Sequence, residues 1–538
     1  MKYKLLTLLS FMLPFLSFAQ ESTSEKIDAV FSKYTSWFVD AIFYEIPFTD
    51  TFQLPWVLIV LVGGALYFTI YFKLINITGF WTAIKVVQGK YEDIEKHGVD
   101  HLYGDVAEEH DLPGTLRDES AHGEVSHFQA LTAALSATVG LGNIAGVAVA
   151  LSIGGPGATF WMILAGLLGM ASKFAECTLG VKYRDVGEDG TVYGGPMYYL
   201  TKGLSEKNIG KFGKVLAVLF AIFVIGGSFG GGNMFQANQA AAQFVELFSL
   251  TSDNAGLYFG IGMAVLVAVV IIGGIKRIAS VTEKIVPFMA GIYVLAALII
   301  LGANFSLIDN AFGLIFEGAF SGLGIAGGLI GVMIQGIRRG AFSNEAGVGS
   351  AAIAHSAVRT KYPASEGIVA LLEPFVDTVV ICTMTALVII ITNYDAGFLE
   401  YGTEITEGVE ITATAFDTVI PHFSIVLTIA VILFAFSTMI SWSYYGMQGW
   451  MFLFGKSKAS DLAYKILFLI FVVIGASISL GSVIDFSDAM IFAMVVPNII
   501  GVILLTPVVR KELNKYMNAI NKKEVALEEG AEDLADKM

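Results

Sequence analysis

Residues that weaken a helix stand in the middle of an apolar stretch of this chain, TVGLGNIAGV at 138–147. Gly140, Gly142 and Asn143 are poor helix formers, and an unwound turn inside a bilayer is tolerated only where protein buries it or where it lines a cavity. The free N–H groups of such a turn suit an anion, and its free carbonyl groups suit a cation. We therefore interpret the stretch as a broken helix that binds a small charged ligand; a glycine surface that packs another helix is the alternative.

Three further positions carry polar or aromatic groups at bilayer depth. Gln236, in GNMFQANQ, is an uncharged polar residue that could bind a ligand or hydrogen-bond another helix. Ser437 and Thr438 offer adjacent hydroxyl groups, which suit a hard cation such as Na⁺, although such side chains often bond to their own preceding turn. Trp442 lies four residues after Thr438, so both side chains share one face of a helix.

Transmembrane helices must position these residues. The 538 residues are 55% hydrophobic and 15% charged, against about 25% charged in soluble domains, and the net charge of −15 gives no indication of a nucleic-acid partner. Eleven apolar runs approach the length of about 20 residues that spans a bilayer. They lie near 54–74, 128–150, 156–181, 214–248, 256–275, 283–303, 323–337, 366–392, 421–454, 462–480 and 486–509.

A second glycine-rich stretch, FSGLGIAGG at 320–328, opens the seventh of these runs and includes Gly324. Leaving the first run aside, the two interrupted runs are the first and sixth of ten. Broken helices at corresponding positions of two halves are typical of inverted-repeat transporters, which bind their substrate at the breaks. The sequence therefore predicts an all-α polytopic membrane protein of about 11 transmembrane helices, with a 5+5 inverted repeat, two discontinuous helices and one extra N-terminal helix.

Orientation follows from the termini and the basic residues. Residues 1–19 have the pattern of a cleavable signal peptide, which would leave the mature N-terminus outside; an uncleaved extra helix is the alternative. Basic residues collect after alternate runs, as the positive-inside rule requires. They are Lys73, Lys85, Lys90, Lys182, Arg184, Lys276, Arg277, Arg338, Arg339, Arg359, Lys361, Lys456, Lys458, Arg510 and Lys511. We expect a bacterial cytoplasmic (inner) membrane protein whose C-terminus is cytoplasmic.

The predicted organisation has eight parts. They are a signal peptide (1–19), a periplasmic N-terminal segment (20–53), the extra transmembrane helix (54–75), a cytoplasmic acidic insert (76–127), the first five-helix repeat (128–303), an outer amphipathic connection leading into the second broken helix (304–322), the second five-helix repeat (323–510) and a cytoplasmic charged tail (511–538). The insert contains histidines among carboxylates, but their spacing matches no specific zinc pattern, so we interpret it as a solvated loop.

Five motifs together resemble one transporter family. They are TVGLGNIAGVA from 138, YGGPMYYL (193–200), GNMFQANQ (232–239), RGAFSNEAGVGSAAIAH (339–355) and FSTMISWSYYG (436–446). In this order they resemble the alanine or glycine:cation (sodium) symporter family, within the amino acid–polyamine–cation superfamily of leucine-transporter-like folds. The resemblance covers roughly residues 54–510; the leader and the insert depart from the family pattern.

The resemblance implies two sets of site residues. A Na⁺ ion would be bound by backbone oxygens and by the two hydroxyl groups, and the ligand residues are Ser136, Val139, Phe434, Ser437 and Thr438. The substrate would be bound by Thr138, Gly140, Gly142, Asn143, Gln236, Phe320, Gly324, Thr438 and Trp442. In this assignment Phe320 and Trp442 restrict the cavity to side chains the size of those of glycine or alanine.

The function that the resemblance implies is sodium-coupled symport of alanine, glycine or both into the cell by alternating access. No cofactor is expected besides the co-transported Na⁺, and the membrane lipid is the only other partner; the oligomeric state stays open. No nucleophile–base pair or phosphate-binding loop indicates an enzyme. Proton coupling in the same fold is the closest alternative, followed by an amino acid channel and an intramembrane enzyme.

Overall fold

The computed structural model describes residues 23–49, 52–97, 123–187, 190–252, 254–321, 328–403 and 408–535. The predicted signal peptide (1–19) and residues 98–122 of the predicted acidic insert lie outside these residues. The first half contains α1 (Thr23–Ile42), α2 (Trp56–Tyr71), α3 (Ile75–Thr78), α4 (Phe80–Val87), α5 (Glu92–His97), α6 (His127–Thr138), α7 (Val147–Gly154), α8 (Ala158–Lys182), α9 (Pro196–Glu206), α10 (Gly210–Phe229), α11 (Phe235–Leu247), α12 (Ala255–Ile271) and α13 (Gly274–Ala303).

The second half is also helical. It contains α14 (Ile308–Ser321), α15 (Gly328–Asn344), α16 (Ala351–His355), α17 (Pro363–Ala370), α18 (Leu372–Pro374), α19 (Thr383–Ala396), α20 (Gly408–Asp417), α21 (Phe423–Phe454), α22 (Lys458–Gly475) and α23 (Leu480–Ala535). Three π-helical segments interrupt the helices, at Gly142–Gly146, Gly230–Met234 and Phe375–Cys382, and a 3₁₀ turn spans Phe305–Leu307. Two short antiparallel hairpins pair β1 (Glu45–Thr49) with β2 (Phe52–Pro55) and β3 (Asp185–Val186) with β4 (Val192–Tyr193).

Several helices are long and apolar enough to cross a membrane. In the described part of the chain they number six, or seven if the bent pair α6–α7 is one span. The six are Ala158–Lys182, Gly210–Leu247, Arg277–Ala303, Pro363–Ala396, Phe423–Phe454 and Leu480–Val525. Two shorter apolar helices are α2 and α12. The chain is therefore a polytopic helical membrane protein, and the count of eleven spans stays a prediction.

The first predicted break is present. Helix α6 begins at a capping box, in which Ser126 and Gln129 satisfy each other's backbone N–H groups. The helix ends at Thr138, the chain leaves helical geometry, and it continues as a π-helical segment and α7. The helix axis bends by 53° between the two halves of this broken helix.

A second interruption lies beside the first. Helix α15 runs without a break from Gly328 to Asn344, and residues 345–350 then leave helical geometry before α16. Glu345, Gly347 and Gly349 all have positive φ there, at 55°, 86° and 92°. The sequence analysis did not predict this interruption, and the break predicted at 320–328 falls mostly outside the described residues and stays a prediction.

The predicted position of two basic residues is also wrong. Arg338 and Arg339 lie within α15 and not in a loop after it. Arg339 is 2% exposed, and both guanidinium groups contact Asp488 of α23. Asp488 pairs with both guanidinium groups inside the protein. These two arginines therefore do not indicate which end of the helix faces the cytoplasm.

The C-terminal part of α23 packs against the segment that precedes the acidic insert. The hydroxyl group of Tyr91 donates a hydrogen bond of 3.0 Å to Glu524. Burial, together with this contact to a carboxylate, raises the pKa of Tyr91 to about 12. Burial acts against the charged form of Asp93, but the hydrogen bond and the charge of Lys523 together with backbone hydrogen bonds outweigh it, so the pKa of Asp93 lies below its usual value. The predicted tail is thus helical as far as Ala535 and is fastened to residues near α5.

Candidate functional site

A small buried cavity lies where the two interruptions meet. The space open to the centre of a water molecule is about 10 Å³, which is close to what a single water needs. The cavity is lined by Ala137, Thr138, Gly142, Gly231, Gln236, Phe342, Ser343, Glu345, Trp442 and Ile491. Four of the predicted substrate residues are therefore in its wall: Thr138, Gly142, Gln236 and Trp442.

Backbone N–H groups of the first break point to side-chain oxygens. The N–H of Gly140 donates to Oδ1 of Asn143 at 2.8 Å, and the N–H of Leu141 donates to Oε1 of Gln236 at 3.2 Å. Gln236 is oriented by its own amide group, which donates to the carbonyl oxygen of Gly231 at 2.9 Å. The unwound turn thus presents donors that already bind neutral acceptor oxygens, and a carboxylate is a stronger acceptor for the same donors.

The predicted cation ligands come together between α6 and α21. Oγ1 of Thr438 lies 3.0 Å from the carbonyl oxygen of Ser136, and Oγ of Ser437 lies 3.0 Å from the carbonyl oxygen of Phe434. Ser136 also donates its hydroxyl group to the carbonyl oxygen of Ser437 at 3.0 Å. Val139 is buried directly after the end of α6. Oxygens of both helices therefore converge within hydrogen-bonding distance of one another.

Gly140 connects this oxygen cluster with the cavity. A Cβ atom at Gly140 would lie 2.5 Å from Oγ1 of Thr438 and 3.3 Å from Oε1 of Gln236. Real Cβ atoms do not approach other atoms as closely as the first of these distances. Only glycine permits the backbone to approach both groups at this position.

Glu345 was missed by the sequence analysis. It opens the second interruption, is 3% exposed and lines the cavity. Its Oε1 accepts a hydrogen bond of 3.0 Å from Nε1 of Trp442, and its other oxygen accepts one from Ser350. An acidic residue within a mostly apolar region was the signal that could have indicated it.

Asp377 lies in a π-helical segment behind the first break. Its two carboxylate oxygens accept hydrogen bonds from Asn143 (2.7 Å), Ser343 (2.8 Å) and Thr378 (2.7 Å). All three donors are uncharged, and no ion pair to Asp377 is present in the described part of the chain. Asn143 is thus held between Gly140 and Asp377, so it positions the unwound turn and does not line the cavity.

The predicted substrate residue Phe320 is not brought to the cavity. Phe320, at the end of α14, is 58% exposed, and its ring packs against Phe160 and Trp161 at centroid distances of 5.1 and 6.1 Å. The predicted role of Phe320 in the cavity wall is therefore wrong, and Phe342 takes that place. Gly324 lies outside the described residues.

An ion-pair cluster closes the cavity on one side. Phe342 and Ile491 line the cavity, and Arg339 and Asp488 each precede one of them by three residues on the same helix. Because residues three apart lie one above the other on a helix, the contact between Arg339 and Asp488 forms the next layer. Nε of Arg338 lies 2.6 Å from the same carboxylate.

Known proteins resemble most of the chain. Residues 110–529 match the model of the Sodium:alanine symporter family. The chain is 44% identical over 423 residues to the Sodium/alanine symporter AgcS of Methanococcus maripaludis, covering 77% of this chain and 90% of that protein. It is 35% identical over 397 residues to the Probable sodium/glutamine symporter GlnT of Bacillus subtilis, covering 73% and 78%.

The fold has a counterpart of known structure. The chain superposes on the crystal structure of MhsT in complex with L-phenylalanine with a TM-score of 0.50 and 15% sequence identity, covering 74% of this chain and 99% of that one. At this identity the likeness shows the fold alone, and it is the leucine-transporter-like fold that the motifs predicted.

Proposed function

Because the chain belongs to the sodium:alanine symporter family, we propose that it moves alanine or glycine into the cell with Na⁺ by alternating access. Sodium-coupled amino acid symport is the activity of the family, which consists of transporters and not of enzymes. The observation that carries the finer proposal is the position of Gly140, whose missing side chain allows contact with both Thr438 and Gln236.

The cavity has the polarity that a zwitterion requires. The N–H groups of Gly140 and Leu141, together with Gln236, would bind the substrate carboxylate. Glu345 offers carboxylate oxygens in the same cavity and would accept from the substrate ammonium group. A buried charge is costly unless it is paired, so a ligand that lacks either charged group would bind much more weakly.

The cavity wall limits the substrate to a small side chain. Trp442 is 1% exposed, and its indole is fixed by the hydrogen bond to Glu345. Phe342 and Ile491 complete the apolar part of the wall. Bulky fixed side chains around so small a space favour glycine or alanine over a substrate such as glutamine or phenylalanine.

The proposed Na⁺ site consists of the carbonyl oxygens of Ser136, Val139 and Phe434 and the hydroxyl groups of Ser437 and Thr438. Na⁺ is a hard cation that prefers such neutral oxygens. The contact of Thr438 with Ser136, which joins two helices, supports this assignment. Ser437 bonds to the preceding turn of its own helix, so its place in the proposed site rests on the family resemblance. An ion there would order the segment after Ser136, and the same segment binds the substrate carboxylate; this shared ordering would couple the two ligands.

Uptake by purified protein in proteoliposomes tests the proposal. We expect labelled alanine to accumulate under an inward Na⁺ gradient and to exchange with unlabelled alanine in counterflow. Its uptake should stop when choline replaces Na⁺ at fixed pH. A competition panel of glycine, L-alanine, D-alanine and L-glutamine would rank the substrates. Unchanged uptake in choline would favour proton coupling, flux that does not saturate would favour a channel, and consumption of the alanine would indicate an enzyme.

A further inference from the structure

The end of α6 far from the cavity is fastened by a histidine between two carboxylates. His127 is the first residue of α6, the half of the first broken helix whose last residues line the cavity. Its Nε2 lies 2.8 Å from Oε2 of Glu95, and its Nδ1 contacts Oε2 of Glu366. Glu95 belongs to α5 and Glu366 to α17, so the ring joins the broken helix to two other elements.

These two contacts require the charged form of the ring. A neutral imidazole has one N–H donor and one acceptor nitrogen, whereas the imidazolium ion has two donors. Both nitrogens of His127 face carboxylate oxygens, so only the imidazolium ion satisfies both contacts. Loss of the proton would leave one buried carboxylate facing a lone pair, and the side chains of Glu95 and Glu366 are only 3% and 0% exposed.

His127 is the member of this cluster that water reaches. Its side chain is 13% exposed, whereas the groups behind it are fully buried. Nδ1 of His355 lies 2.5 Å from the second oxygen of Glu366, and Nε2 of His355 lies 3.5 Å from Oε2 of Glu373. Lys173 pairs with the other oxygen of Glu373 at 2.9 Å. Acids and bases alternate along this row, which anchors Glu366 to the protein interior.

Other titratable groups around the first turn of α6 contact Gln129 and Glu95 rather than His127. Glu283 of α13 accepts a hydrogen bond of 3.3 Å from Gln129. Tyr516 of α23 donates to the second oxygen of Glu95 at 2.5 Å, and the backbone N–H of Lys361 donates to the carbonyl oxygen of Glu95 at 3.1 Å. Glu95 is thus held by Tyr516 and by the backbone of Lys361. A movement of α6 away from α5 must therefore break the contact between His127 and Glu95.

We propose that His127, Glu95 and Glu366 form a proton-binding latch that keeps α6 closed and releases it when His127 loses its proton. This inference rests on the proposed function, because alternating access requires one half of a broken helix to move away from the cavity. The ligand of the latch is a proton. In the closed state the imidazolium is held between two carboxylates; in the open state the ring is in water and titrates near pH 6.5 like a free histidine.

The sign of the pH effect follows from this difference. The closed state binds the proton more tightly than the open state, so a rising pH favours the open state. Below about pH 6.5 both states keep the proton, and pH has no effect. Above that value the ratio of open to closed protein rises by up to about tenfold per pH unit, since one proton is released on opening.

Cysteine labelling of the purified full chain measures this ratio. The reporter is Ala133→Cys, a position of α6 that is buried in the closed state, and the reference is Lys207→Cys, which is exposed between α9 and α10. The quotient is the maleimide labelling rate of Ala133→Cys divided by that of Lys207→Cys, and it removes the effect of pH on the reactivity of the thiol. We expect the quotient to be flat below about pH 6.5 and to rise above it. A quotient that is flat throughout pH 6–8.5 overturns the proposal.

Variants of the latch separate it from general loosening of the helix. His127→Gln has one donor and one acceptor, as neutral imidazole has, so its quotient is expected to be high and independent of pH. Gln129→Ala removes the nearby contact with Glu283 and should keep the wild-type pH slope. If His127→Gln retains that slope, the latch is refuted.

A second variant covers the case in which His127→Gln does not fold. In Glu95→Gln, the amide group donates an N–H to a neutral imidazole, so the closed state no longer needs the proton. The labelling quotient should therefore stay low and not change with pH. A quotient that rises with pH as in the wild type refutes the latch. Alanine uptake in proteoliposomes is measured on the same protein. Absent uptake with the slope intact would refute the proposed function alone, and normal uptake without the slope would refute the latch alone.

Discussion

The hydroxyl group of Thr438 donates a hydrogen bond of 3.0 Å to the carbonyl oxygen of Ser136. This contact joins α21 to the last turn of α6, directly before the chain unwinds at the cavity. Ser437 lies beside it and bonds within its own helix to the carbonyl oxygen of Phe434. Because the hydroxyl group of Thr438 meets the carbonyl oxygen of Ser136 at the first break, a change in this pair of hydroxyl residues should alter the response of transport to Na⁺.

Replacement of both hydroxyl groups should therefore weaken the proposed ion site. A contact with a charged group contributes about 1.5–3 kcal/mol, so Ser437→Ala with Thr438→Ala should raise the Na⁺ concentration for half-maximal uptake at least about tenfold. Ser443→Ala is the matched control, since its hydroxyl group bonds to Ile440 within the same helix at 2.7 Å. An unchanged Na⁺ requirement in the double variant would refute the assignment.

Glycine at the first break can be tested by the smallest possible addition. Gly140→Ala would place a methyl group 2.5 Å from Oγ1 of Thr438, and overpacking of this kind costs about 1–3 kcal/mol. We expect uptake to fall at least about fivefold at limiting Na⁺ and alanine. Gly146→Ala is the control, because its nearest neighbour would lie at 4.0 Å; equal loss in both variants would show that helix propensity and not the site is responsible.

The first break was predictable because three poor helix formers fall within four positions of an apolar run. The contact between Ser136 and Thr438 was predicted only through the family resemblance, since about three hundred residues separate the two and no spacing rule relates them. The interruption at 345–350 was not predicted from the sequence. These residues contain two glycines and an acid, whereas the stretch at 320–328, where a break was predicted, contains four glycines.

Pairing across the fold explains the other differences. Arg338 and Arg339 follow an apolar run, and a rule that counts basic residues near the ends of spans therefore places them in a loop. Their partner, Asp488, is on the last helix, where the sequence gives no sign of the pairing. Phe320 is adjacent to glycines, but the path of α14 directs its ring to Phe160. Such contacts depend on tertiary packing, which local sequence patterns do not encode.

Glu345 is predicted to bind the substrate ammonium group. Glu345→Gln keeps the shape of the side chain but removes its charge, and loss of one partner of a buried charge pair costs about 2–5 kcal/mol. The apparent affinity for alanine should fall at least about thirtyfold in competition assays. Trp442→Phe removes the indole donor and part of the ring but leaves the charge of Glu345 in place, so it should have a smaller effect on this affinity. Equal affinity of wild type and Glu345→Gln for alanine would exclude this role.

Trp442 should set the upper size of the substrate. Trp442→Ala removes the large indole from the cavity wall, so larger amino acids such as L-glutamine should begin to compete with labelled alanine. Trp450→Ala is the control on the same helix, because that ring packs against Phe454 and Tyr464 away from the cavity. A variant that still excludes glutamine while it transports alanine would place the size limit elsewhere.

The buried pair of Lys173 and Glu373 should matter chiefly for stability. Both side chains are 0% exposed, and Nζ of Lys173 lies 2.9 Å from Oε1 of Glu373. Lys173→Met leaves a buried carboxylate without this partner, which costs about 3–5 kcal/mol, and thermal unfolding in detergent should occur at a clearly lower temperature. The double variant Lys173→Met, Glu373→Gln removes both charges and should recover most of the loss.

Lys465→Met is the control, because its pair with Asp461 is partly exposed and contributes at most about 0.5 kcal/mol. A double variant as unstable as Lys173→Met would show that Lys173 instead compensates other acids nearby, such as Glu176 and Glu345.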